Sequence, residues 1–135
     1  MGLLGSERIP GGVLMSETTT NIDYRRMRPR RRLAARVLPA TDALVYECPS
    51  GRIAEVETMV FCNTHSSKVT LRVFHVIPGE SAGTSNALFY ELDCASYTTT
   101  VAEFAVHMGA GEKLIARGGT ASHIAVTVYG VEQDV

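Results

Sequence analysis

From Thr41 onward the chain holds no apolar period long enough for a helix, and it breaks into short alternating runs closed by Gly, Pro, Ser and Asn. Residues 68–77 show the pattern best: Val69, Leu71 and Val73 fall on one side, Thr70 and Arg72 on the other. Similar runs occupy residues 43–48, 53–62, 87–92, 97–104, 114–117 and 123–131, and the β-branched series Thr98 to Val101 opposes helix within the fourth of these. Between them lie CPSG, a polar turn at residues 63–67, the loop PGESAGTSN, and the tight turns GAGEK and GGTAS. Seven or eight short strands at this spacing predict an all-β fold, an antiparallel β-sandwich of jelly-roll-like type. Its expected core includes Val56, Val60, Leu71, Val73, Leu88, Leu114, Val126 and Val128.

The first forty residues follow no such pattern. MGLLGSERIPGGVLMSETTTN mixes Gly, Ser, Thr and Pro, lacks the charged and apolar regions of a secretory signal, and reads as extended. Behind it comes YRRMRPRRRLAARV, with seven arginines and no acid. Pro29 and Pro39 oppose one continuous helix, while Leu33 to Arg36 favour at most a short helical turn. Charge divides at the same place. Residues 1–39 hold eight Lys/Arg and three acids, a net +5, whereas residues 40–135 hold five and eleven, a net −6. The expected organisation is an extended basic N-terminal arm over residues 1–39 and a sandwich over residues 40–135.

Patterns that would carry catalysis are missing from the sequence. His65, His75, His107 and His123 form no HxH or HExxH pair, and Cys48, Cys62 and Cys94 form no CxxC. Glu55 and Glu57 are spaced as a solvated strand edge, and neither GxSxG nor GxxxxGK[ST] occurs. The expectation is a protein that is not an enzyme and uses no cofactor or metal. The candidate partner-binding residues are Arg25, Arg26, Arg28, Arg30, Arg31, Arg32, Leu33 and Arg36. Guanidinium groups pair bidentately with carboxylates or phosphates, and the interleaved apolar residues suit a protein neighbour. An acidic body argues against a dedicated nucleic-acid binder, since it would repel the backbone that the arm attracts. No run approaches the ~18 apolar residues of a membrane span.

The pieces VYECPSGRIAEV, VFCNTHSSKVTLRVFHVIPGESAGTSNALFYEL, GAGEKLIARGG and VTVYGVE lie between Val45 and Glu132. Together they resemble small β-sandwich virion proteins of tailed bacteriophages. The likeness lies in a Pro-x-Gly opening turn, a Cys-Asn-Thr turn, a Gly-Ser-rich loop before an Asn-Ala strand, and a closing Val-x-Val-x-Gly-Val-Glu. It implies a structural protein of the phage particle, either a capsid decoration (cement) subunit or a tail accessory protein, made in the host cytoplasm and carried on the virion. Its implied partners are other virion proteins and copies of itself, a trimer by analogy. The competing reading is a binding module, either a carbohydrate-binding sandwich or a nucleic-acid binder using the arginine arm. Nine aromatics and no Trp weigh against the sugar platform.

Overall fold

The computed structural model describes residues 29–135. They form eight strands: β1 (Arg31–Val37), β2 (Ala43–Glu47), β3 (Arg52–Asn63), β4 (Val69–Val76), β5 (Ala87–Cys94), β6 (Thr99–Met108), β7 (Lys113–Gly118) and β8 (Ile124–Asp134). A single 3₁₀ turn, Thr84–Asn86, precedes β5. Two antiparallel four-stranded sheets result, in the orders β1-β8-β3-β6 and β2-β7-β4-β5. Only the β4–β5 hairpin stays within a sheet, and every other connection crosses to the opposite one. That interleaving is the strand order of a jelly roll, so the expected fold class holds. Among the described residues no helix is long and apolar enough to cross a membrane.

The core lies between the sheets. Val56, Met59 and Phe61 of β3, Leu71 and Val73 of β4, Leu114 of β7, and Val126 and Val128 of β8 are all buried. Leu38, just after β1, closes one end and is held by its amide on the Ile124 carbonyl at 2.8 Å. Phe89 and Phe104 stack across the sheets with centroids 5.7 Å apart, and Phe61 meets the edge of Phe89 at 6.0 Å.

Three expectations change. Val60 was to share the core face with Val56, but a bulge after Val56 adds a residue to β3 relative to β8. The pleat slips by one, Met59 and Phe61 turn inward, and Val60 and Cys62 turn outward. Leu88 is partly buried and packs against the core rather than within it. The third change is larger. Arg31–Val37, expected in the arm, is strand β1, paired along its length with β8 from Arg31↔Gly130 to Val37↔Ala125. The sandwich therefore starts nine residues before the expected boundary at residue 40, and no helical turn forms there. Ladder bonds to β8 and contact of Leu33 and Ala34 with the core outweigh the modest helix preference of LAAR.

Candidate functional site: the basic edge strand

β1 is an edge strand, and the fold divides the arginine run that it ends. Arg25, Arg26 and Arg28 lie outside the described residues. Arg30 is 63% exposed and places Nε 3.0 Å from Oε1 of Glu57, which sits at the β3 bulge. Such an exposed pair contributes little, well under about 1 kcal/mol. Arg36 turns its guanidinium across the edge of the sandwich to the Leu44 carbonyl of β2, at 2.8 Å. Leu33 packs inward. Arg32 points outward and has no ion-pair partner among the described residues.

Arg31 is the anchor. Its Nη2 lies 3.2 Å from Oε1 of Glu132, and Nη1 of Arg52 lies 2.9 Å from the same oxygen. The other oxygen, Oε2, accepts the hydroxyl of Tyr46 at 2.5 Å. Glu132 is only 4% exposed. Its place follows from the strand period: it shares parity with Ile124, Val126 and Val128, so its carboxylate enters the space between the sheets. Four strands meet there: β1 through Arg31, β2 through Tyr46, β3 through Arg52 and β8 through Glu132.

Electrostatics explain why a charge is tolerated in that position. Burial by itself would raise the Glu132 pKa, but the hydrogen bonds from Tyr46 and Arg52, the Arg52 charge and the bond from Arg31 outweigh it. The carboxyl is held below its usual range. Tyr46 moves the other way, pushed up by burial and then by its bond to Glu132, so it remains a donor. Nearby Cys48 is raised too, chiefly by burial, which suits an inert thiol.

The histidines disperse. His75 pairs with Glu112 at 2.7 Å, and His107 lies 3.6 Å from Glu55. His65 and His123 meet edge to face at 4.1 Å. Among the described residues no group of three His, Cys, Asp or Glu could hold a metal. Cys48, Cys62 and Cys94 are unpaired, the first and last of them buried. A cleft of about 380 Å³ opens beside Ile53, His107, Met108 and Gly109, with the His107–Glu55 pair as its charged feature.

Of the eight sequence-predicted site residues, then, five lie in the described part. Arg30, Arg31, Arg36 and Leu33 bind the strand to its own body, and Arg32 alone is offered outward. Sequence reasoning missed Glu132 and Tyr46. The parity of Glu132 with the apolar residues of β8 was the available signal.

No family model matches the sequence, and no curated protein does. Among solved structures, the fold is similar to a chain of Bacillus endospore appendages, which form a family of disulfide-linked pili. That match has a TM-score of 0.50 at 10% identity, over 90% of this chain and 98% of that one. Chains from two strains of infectious bursal disease virus align more loosely. The Gx strain gives a TM-score of 0.46 at 9% identity and the Gt strain 0.42 at 8%, each over 96% of this chain and 39% of the viral one.

Proposed function

We propose that this protein is a non-catalytic structural subunit of a bacteriophage particle. It is a decoration or tail accessory protein that seats its jelly roll on neighbouring virion proteins and secures it with the basic segment preceding β1. The observation that supports this reading is the anchoring of the start of β1, to which that segment is joined. A tether is useful only if tension on it reaches a rigid body, and Arg31 passes it to a carboxylate clasped between two sheets. Ahead of the anchor stand Arg25, Arg26 and Arg28, with Arg30 held only at the surface. The residues from Tyr24 to Arg30, if extended, would reach roughly 20 Å at ~3.3 Å each. Ordering that length costs roughly 1–2 kcal/mol per residue, so it needs several acidic partners at once. The fold it shares with a pilus-forming chain supports an assembly role.

The test removes residues 1–29, which spares β1. Purified variant is added to particles assembled without this protein, and its occupancy is measured across a salt series. The expected result is a folded protein whose occupancy falls at least tenfold and becomes salt-sensitive. Undiminished, salt-resistant occupancy would reduce the segment to a solvated tail. Binding transferred to free DNA, with steep salt dependence, would instead favour the nucleic-acid module.

A further inference from the structure

The two outer faces of the sandwich differ in kind. On the β2-β7-β4-β5 sheet, Arg72 bonds Glu91 and stacks on Tyr90 at 4.2 Å, and Arg117 lies 3.7 Å from Asp42. That face is charged, internally paired and at home in water.

Three rows that the strand register aligns cross the outer face of the other sheet, on the side of the β3 bulge away from the Glu55–His107 pair. One row is Val37–Ala125–Cys62–Thr99 and the next is Ala35–Thr127–Val60–Val101, neither containing a charge. Val37 is 51% exposed and Val101 55%. The bulge in β3 creates this surface, because the slip that buries Met59 and Phe61 turns Val60 outward. The third row, Arg32–Tyr129–Thr58–Glu103, carries a cation at the β1 edge and an anion at the β6 edge. Neither has an ion-pair partner among the described residues. Arg32 and Glu103 are three strand spacings apart, about 14 Å, too far to meet within one chain.

We infer that this face pairs with the same face of a second copy, about a two-fold axis that runs along the strands between β8 and β3. A half-turn about that line lays β1 on the copy's β6 and β8 on its β3, and it keeps each row in register with itself. Arg32 then meets Glu103 of the second copy, and Glu103 meets its Arg32. Ala35 faces Val101, and Val60 faces Thr127. The alternative axis, running across the strands, would set Arg32 near the second copy's β1 and leave both charges without a partner. Opposite signs at opposite ends of one row are what an isologous contact requires. The edge of β1 is the poorer site for pairing, since its bulge after Arg32 and its arginines obstruct strand addition.

Three rows on four strands cover roughly 400 Å² per copy, about half of the roughly 800 Å² of a standard interface. The contact is therefore weak in dilute solution and fills where copies are crowded, as on a particle surface. It is a two-fold pair rather than the trimer suggested by analogy, and it stands whether or not the particle is a phage.

Face-to-face sheets sit about 10 Å apart, so a short bismaleimide is a better probe than a disulfide. In the full-length C62S background, A35C and V101C proteins are made separately, treated alone, and then mixed and treated. The expected outcome is a covalent dimer in the mixture at least tenfold above either protein alone. Charge reversal supplies the second arm. R32E and E103R should each lower capture about tenfold, and combining both changes in one chain should restore it. Capture by V101C alone equal to the mixture would mean β6 lies on β6 and would overturn the axis. No capture in the mixture, or a double reversal no better than the singles, would overturn the interface. All the substitutions are at outward-facing positions, and circular dichroism verifies the fold of each variant.

Discussion

The phenolic hydroxyl of Tyr46 donates to Oε2 of Glu132 at 2.5 Å, and the two residues belong to opposite sheets. Across the middle of the sandwich the sheets are held mainly by apolar contact, which fixes distance but tolerates sliding. This bond is directional, and with Arg31 and Arg52 on the other oxygen it sets how the sheets are aligned at that end. Y46F keeps the ring and removes the donor, leaving a buried carboxylate one partner short. The expected loss is about 1–2 kcal/mol in urea unfolding. A change within error would mean that the arginines alone satisfy Glu132.

The same carboxylate makes stability depend on pH. Its pKa is lowered in the folded protein, so the unfolded chain takes up a proton first as pH falls. The stabilisation is present in full above the ordinary carboxylate range and is lost as pH drops through the lower, folded-state value. E132Q should cost about 2 kcal/mol near neutrality, the scale of hydrogen bonds to a charged group, and its gap to the parent should close in acid. A gap independent of pH would show that shape, not charge, is what the site needs.

Gly130 stands opposite the β3 bulge, where the chains approach closely. A Cβ built there would lie 2.2 Å from the Glu55 carbonyl oxygen and 3.0 Å from the Val56 Cα. Both neighbours are backbone and neither can step aside. G130A should destabilise by about 3 kcal/mol or prevent folding. Gly83 has open space around the same position, so G83A should stay within about 0.5 kcal/mol. Equal midpoints for the two variants would refute the close approach.

Two truncations separate the segment ahead of β1 from the sandwich. Removing residues 1–29 should leave the melting temperature within a few degrees of the parent. Removing residues 1–39 takes away β1, Arg31 and Leu38, strips one side of β8 and exposes the core, so soluble yield and cooperativity should collapse. A stable, cooperative second truncation would contradict the assigned role of β1.

Seven of the eight strands were legible because their alternation was local, and six of the eight core positions were read correctly from it. Val60 escaped because a bulge inserts one residue without marking β3 itself. The mark lay on the partner, in a lone glycine inside the apolar run VTVYGV. β1 escaped for a different reason. Its residues carry arginine and alanine, poor strand formers by composition, and its strand character comes from a partner some ninety residues away. The arginine run was visible as a feature, but the anchoring of Arg31 within it depends on Glu132, which no local pattern joins to it.

The pairing of β1 with β8 joins the first described strand to the last, Arg31 to Gly130. Closure over that span cannot occur until β8 has left the ribosome, and such distant pairings form on the millisecond-to-second scale. On that ground β1 is expected among the last pieces to settle. Substitutions in β1 should accordingly speed unfolding while leaving the refolding rate almost unchanged, a partition that stopped-flow measurements read directly. A half-made or misfolded molecule would carry its arginines on a loose end with nothing to pull against. If the protein joins a particle as proposed, incorporation would then select for finished molecules, with the order of folding acting as a proofreading step before assembly.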